Sequence, residues 1–225
     1  MMWPVDGPFV RGDLLSLRGT ERYSAIEKQR AGAPVWLGHD GLDGDRVADR
    51  RFHGGPDRSL CHYPAEHYSH WRRYFRHLQR IAPASFGENL STQGLDEAHV
   101  CIGDRFALGE AIIEVSQPRS PCIKLDRHHD TRGLSRQLGH SGRTGWLYRT
   151  LEPGLVEPGA LLRLLDRPFP GASVLRVWRG FHDQNSSEAE LSELMQIPAL
   201  ASEYRRHFGQ RLDTQRREQD QGTLF

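Results

Sequence analysis

The sequence predicts a mixed α/β chain, mainly β: a β-barrel with helical insertions, followed by a small three-helix domain. Three observations predict it. Short runs of strand composition alternate with Gly- and Pro-rich turns from residue 1 to residue 168. One long amphipathic pattern interrupts them, from Pro64 to Ile81. After Pro168-Phe169-Pro170-Gly171 the pattern changes to apolar residues at helical spacing, which marks a domain boundary. The expected units are 1–168 for the barrel, 172–213 for three helices and 214–225 for a polar tail.

In the barrel region, Phe9 to Leu17 has strand composition broken by Gly12-Asp13. Gly38 to Asp45 is dense in turn formers. The segment Arg51-Phe52-His53-Gly54-Gly55-Pro56-Asp57-Arg58 follows. Paired glycines allow close backbone approach and their amides can cradle an anion, so His53, Gly54, Gly55, Asp57 and Arg58 form a candidate ligand loop; a tight turn fits the same pattern. From Pro64 to Ile81, Tyr68, Trp71, Phe75 and Leu78 make one helical stripe. His67 and His70 lie on this helix with His62 and His77 nearby; the arginines on the same face favour a solvated surface over a metal site.

Phe86 to Thr92 is a short polar loop in which Asn89 can both donate and accept. Val100-Cys101-Ile102 resumes strand composition, with Cys101 in the core. Arg105–Leu108 and Ala111–Val115 flank Gly109-Glu110, a hairpin signal. That hairpin delivers Ser116-Gln117-Pro118-Arg119-Ser120-Pro121-Cys122-Ile123-Lys124-Leu125. Two prolines stiffen this loop. It mounts Cys122 between Arg119 and Lys124, and nearby cations favour the thiolate. A buried, inert cysteine fits the loop alone equally well. The chain has 30 Lys plus Arg, yet only Lys28 and Lys124 are lysines, so a compact point charge stands beside this cysteine.

Beyond the loop, His128 and His129 read as exposed loop residues, Gly145 to Arg149 as a strand and Leu161 to Leu165 as the closing strand. Val174, Val177, Trp178 and Phe181 mark the first helix of the second unit. Ser187 with Glu190 forms a capping-box pattern before Leu191 and Leu194. Leu200, Tyr204, Phe208 and Leu212 step by four along a third helix. Gln215 to Phe225 reads as a frayed end.

Composition bounds the function. A net charge of +1 gives no sign of a polybasic nucleic-acid binder. The mean hydropathy is −0.64. No apolar run approaches the ~20 residues of a membrane span, and the N-terminus lacks a signal-peptide pattern. Three cysteines without metal spacing point to a reducing compartment, with cytoplasmic localisation expected.

Four segments occur in a telling order: Gly41-Leu42-Asp43-Gly44-Asp45, His53-Gly54-Gly55-Pro56-Asp57-Arg58, Phe86-Gly87-Glu88-Asn89-Leu90 and the Cys122 loop. Together they resemble the MOSC domain, and most closely its YiiM-like branch, over nearly the whole chain. That resemblance implies a MOSC-type barrel with a three-helix C-terminal domain. It implies the molybdenum cofactor (Mo-molybdopterin), with Cys122 as metal ligand and His53 and Asn89 at the same site. Arg58, Arg119 and Lys124 are assigned by charge to the pterin phosphate and oxo groups, beside Gly54, Gly55 and Asp57. The implied reaction is two-electron reduction of a small N-hydroxylated compound, such as a hydroxylaminopurine base analogue. The three scattered cysteines cannot hold a cluster in one subunit, so electrons must come from a separate reductase protein. Cys122 as a persulfide carrier, a non-catalytic cofactor carrier and a cysteine hydrolase are the alternatives. The sequence leaves the oligomeric state open.

Overall fold

The fold is taken from a computed structural model, which describes residues 1–17, 23–49 and 53–222. Arg51 and Phe52 of the predicted ligand loop, and the end of the tail from residue 223, lie outside the described residues. The strands are β1 (Met2–Pro4), β2 (Phe9–Val10), β3 (Leu15–Ser16), β4 (Tyr23–Ser24), β5 (Gln29–Arg30), β6 (Val35–Gly38), β7 (Gly41–Leu42), β8 (Leu60–His62), β9 (Arg105–Leu108), β10 (Ala111–Pro118), β11 (Trp146–Glu152), β12 (Gly154–Val156) and β13 (Leu161–Asp166). The helices are α1 (Glu66–Tyr74), α2 (Lys124–His128), α3 (Leu134–Ser141), α4 (Val174–His182), α5 (Glu188–Met195) and α6 (Ser202–Gly222).

The main sheet runs β1-β13-β9-β10-β11-β8, with antiparallel pairing throughout. The predicted β9–β10 hairpin turns at Gly109, where φ is +60° and an added Cβ would lie 2.3 Å from the Leu155 carbonyl oxygen. Only glycine fits there. The closing strand β13 pairs with the N-terminal β1. Edges β8 and β1 are joined through Leu90-Ser91: His62 bridges Leu90, and Asp6 bridges Ser91. The barrel is therefore a curled sheet closed by single bridges, and the Phe86–Thr92 loop is one of its staves.

Alternation along β10 and its neighbours sends Phe106, Leu108, Ile113, Val115 and Tyr148 into one core. That same core contains Val174, Leu191, Leu194, Tyr204 and Phe208. The boundary near residue 168 is thus a change of grammar along the chain, not a break in the packing. A second cluster unites Tyr68, Trp71 and Leu78 with Leu125, Leu134 and Leu138, fastening the helical insertions to one another.

Several elements differ from the sequence expectation. Helix α1 stops at Tyr74, because Phe75 turns to φ −108°, ψ 88°. Leu78 and Ile81 still reach the core, carried there by the turn after the helix. Strand β10 continues past Val115 to Pro118, and a register shift between Val115 and Gln117 marks where it bends. Val100 to Ile102 is a turn with one bridge, Cys101 to Ser173, not a strand. The histidine group is solvated only in part: His77 is exposed and His70 half-buried, but His62 is buried and stacked on Trp146, and buried His67 bonds Glu97 at 2.7 Å. His128 ends α2, and His129 is half-buried against the Ser85 carbonyl at 2.9 Å. The polar tail is helical to Gly222; Gln215 bonds the Ser186 carbonyl at 3.0 Å and Arg216 reaches Glu188 at 3.5 Å. Contacts with Ser186 and with Glu188 of α5 hold the helix beyond its last apolar residue, Leu212.

Candidate active site

Three segments converge at one end of the sheet: the His-Gly-Gly loop, the stave at Phe86–Leu90 and the exit of β10 into α2. Their meeting is visible in the electrostatics of His53. Its pKa is lowered to about 4, first by burial and then by the charges of Lys124, Arg119 and Arg58; Asp49 opposes them. Unlike the ordinary imidazole near 6.5, this ring is neutral at pH 7. His53 therefore lies within electrostatic reach of Arg58, Arg119 and Lys124. An NMR titration of the ligand-free protein is expected to show His53 neutral from pH 8 down to about pH 5, with its midpoint near 4. A midpoint near 6.5 would contradict this electrostatic picture.

Cys122 sits in the constrained turn between β10 and α2, partly exposed. Its carbonyl accepts from Leu125 N at 2.9 Å, which starts the helical turn. Buried Leu125 anchors the loop from below, while Ile123 is 52% exposed beside the thiol. The loop is fixed at its other end by Arg119, whose backbone N–H donates to the Gly145 carbonyl at 3.1 Å. The Arg119 guanidinium donates through Nη2 to the Phe86 carbonyl. Its Nη1 is buried and has no hydrogen-bond partner among the described residues. Burial works against the Arg119 charge, but Cys61, Glu88, Tyr63 and Tyr68 raise its proton affinity above the ordinary value.

Glu88 is the residue that sequence reasoning passed over. Its carboxylate is fully buried and accepts from Tyr68 OH, from Ala84 N at 2.7 Å and from Phe86 N at 3.0 Å. Burial pushes its pKa up; the Tyr68 bond and the Arg119 charge pull it down. Glu88 so shapes the stave, including Ala84 at φ +79°, and presents the Phe86 carbonyl to Arg119.

Asn89 is also more structural than the sequence implied. Its Nδ2 donates to the Phe9 carbonyl at 3.0 Å and to Asp45 Oδ2 at 2.8 Å, while Oδ1 accepts from Cys61 N at 3.0 Å. Both amide hydrogens are committed, so Asn89 holds loops together and offers no free donor to a ligand. Asp45 is in turn paired with Lys28, and accepts from Arg11 N at 2.9 Å. The lysine count that singled out Lys124 applied with equal force to Lys28. Cys61, on β8, lies near Arg119, Glu88, Lys28 and Asp45; burial pushes its thiol up.

Asp57 is engaged inside the protein. Its carboxylate binds Arg149 through Nε at 2.9 Å and Nη2 at 2.7 Å, and Arg149 also holds Glu114 at 2.7 Å. Asp57 thereby ties the His-Gly-Gly loop to the sheet. Arg58 pairs with Glu203 of α6. Gly55 has φ +106°, a region other residues avoid, and an added Cβ would meet nothing within 4 Å. Its glycine is required by the turn, not by close packing. Gly54 lies beside it, half-buried. Among the described residues, no group of three His, Cys, Asp or Glu side chains is placed to hold a metal ion. No helix among them is long and apolar enough to cross a membrane.

Comparison with known proteins places this geometry. Residues 49–163 match the MOSC domain, and residues 173–215 match the YiiM-like, 3-alpha helix domain. Protein YiiM of Escherichia coli is 49% identical over 146 residues, which is 64% of this chain and 65% of that protein. The chain's match therefore spans just under two thirds of that relative. A protein named Reductase, from Gibberella moniliformis, is 39% identical over 80% of this chain, but the match covers only 32% of its own length. The crystal structure of YiiM from Escherichia coli superposes with a TM-score of 0.79 at 34% identity, covering 95% of this chain and 94% of that one. The chain belongs to the MOSC domain family, in the form where a YiiM-like three-helix domain follows.

Proposed function

We propose that this protein binds the molybdenum cofactor through Cys122 and reduces N-hydroxylated compounds, with electrons from a separate reductase. The observation that carries this reading is the meeting of the Arg58, Arg119 and Lys124 charges at His53, with a partly exposed Cys122 two residues before Lys124. The residues fit the group. A single thiolate suits a soft metal that arrives with its own organic ligand. Lys124, with Arg119 and Arg58 acting on the same His53 ring, supplies positive charge that suits a phosphate. When bound, the cofactor supplies the two-electron redox chemistry; the chain supplies binding, orientation and proton control.

Cys122 anchors, Arg119 and Lys124 hold the anionic end, and the Gly54-Gly55 turn lines the approach. Asn89, Asp45, Lys28 and Glu88 keep these segments in place. The neutral His53 is a poor acid in the ligand-free protein. An anion that neutralises Arg58, Arg119 and Lys124 raises its proton affinity, which prepares it to donate a proton to the departing hydroxyl oxygen. The relative named Reductase carries about two thirds of its length outside the matched region. That length is consistent with a MOSC unit working beside a separate source of electrons.

The test is turnover of a hydroxylaminopurine by cofactor-loaded protein, with reduced viologen replacing the protein donor. Amine product is expected from loaded protein and none from cofactor-free protein. Stoichiometric molybdenum without any product would sink the reductase reading and leave a carrier. Cyanide-labile sulfur on Cys122 without molybdenum would favour a persulfide carrier.

A further inference from the structure

The apolar residues of α6 recur every four positions, so Tyr204, Phe208 and Leu212 face the shared core. Tyr204 is only 2% exposed, and a buried phenol requires a partner. Its hydroxyl donates to the Pro118 carbonyl at 3.2 Å and is also bonded to Ser120. Both partners belong to the loop that carries Cys122. Three residues earlier in the chain, Ala201 N donates to the Ser116 carbonyl at 2.9 Å, at the start of the same loop. The neighbouring Glu203 pairs with Arg58 of the His-Gly-Gly loop. The two loops are joined directly by Ser116 Oγ, which donates to the Asp57 carbonyl at 2.6 Å. Arg149, which holds Asp57, donates to the Ala199 carbonyl at 2.8 Å. The first turn of α6 and the residues before it therefore touch both loops of the site.

We infer that Tyr204 is a positioning residue of the active site, and that the three-helix domain contributes it to hold the Cys122 loop against the barrel. The inference rests on Cys122 as the reactive group, and not on which cofactor it carries. Tyr204 itself reaches only the backbone of the loop and Ser120, so it acts through Cys122. The pairing with β11 runs to Pro118, with Arg119 N–H on the Gly145 carbonyl just beyond it, and past that point Pro121 has no N–H to donate. An external hydroxyl on the Pro118 carbonyl is correspondingly important. Glu203 holds the companion loop through Arg58 from the preceding position of the same helix.

The experiment uses the full chain, free of cofactor, and follows iodoacetamide alkylation of each cysteine by peptide mass spectrometry. Tyr204→Phe keeps the buried ring and removes only the hydroxyl. Loss of one such bond is expected to open the loop and speed Cys122 alkylation about fivefold. Cys101, buried elsewhere, is expected to react at its wild-type rate and so reports global opening. Tyr148→Phe removes a buried hydroxyl that bonds His62 instead, and is expected to leave Cys122 unchanged. Ser120→Ala removes the other partner of Tyr204 without touching the core, and is expected to give a smaller rise. This variant keeps the proposal falsifiable if Tyr204→Phe folds poorly. Equal Cys122 rates in wild type, Tyr204→Phe and Ser120→Ala would overturn the inference. An equal rise in Tyr148→Phe would overturn it too, since the effect would then be general loosening. Failure of the reductase reading would show in the turnover assay and leave these rates untouched.

Discussion

Cys122→Ala is expected to lower turnover of an N-hydroxylated substrate by more than about 100-fold, while Cys101→Ala leaves it unchanged. Residues that merely support a metal ligand typically cost about 10–100-fold when removed, so loss of the ligand itself must exceed that range. Cys101 is buried, with its thiol donating to the Pro170 carbonyl at 3.3 Å, away from the three converging segments. Cys61 is the informative intermediate. It lies near Arg119, but the bond to Asn89 comes from its backbone N–H, which alanine retains. Cys61→Ala is therefore expected to keep turnover within about tenfold of wild type. Steady-state rates with reduced viologen compare all three. Similar losses for Cys61 and Cys122 would mean that the wrong thiol has been assigned to the metal.

Glu88→Ala is expected to be among the most damaging single substitutions, costing about 3–5 kcal/mol of folding stability. The carboxylate is fully buried and receives three donors, from Tyr68, Ala84 and Phe86. Truncation leaves all three without an acceptor. It also removes a carboxylate whose charge supports the buried Arg119. Glu88→Gln keeps the shape but turns one acceptor into a donor, facing a group that also donates. Its expected cost is smaller, about 1–3 kcal/mol. Urea unfolding at pH 7 measures both. A loss below about 1 kcal/mol for the alanine variant would show that the stave at Phe86–Leu90 is held by its apolar residues alone.

The barrel was legible because its signals are local. Gly109-Glu110 needs a positive φ, and β9 and β10 alternate around it. The stave at Leu90-Ser91 was not legible as part of the sheet, because two single-residue bridges leave no periodicity. The helix stripe from Tyr68 to Leu78 correctly named the buried side chains and misplaced the helix end. Leu78 reaches the core from a turn, which produces the same spacing. Polar residues were the harder problem. Asp57, Asn89 and Glu88 all sit in Gly-rich loops, where sequence reads a polar side chain as solvated or ligand-facing. Tertiary packing instead buries Asn89 and Glu88 and turns Asp57 toward Arg149. What the loops did announce was their own rigidity: paired glycines at 54 and 55, and prolines at 118 and 121. In the folded chain the charges of Arg58, Arg119 and Lys124 act on His53, and Cys122 stands two residues before Lys124.

The most direct measurement is the molybdenum and pterin content of the protein purified from a host that makes the cofactor, with Cys122→Ala beside it. Near-stoichiometric metal in the wild type and none in the variant is the predicted result. No metal in either, while a control molybdoenzyme from the same cells is loaded, would contradict the central claim.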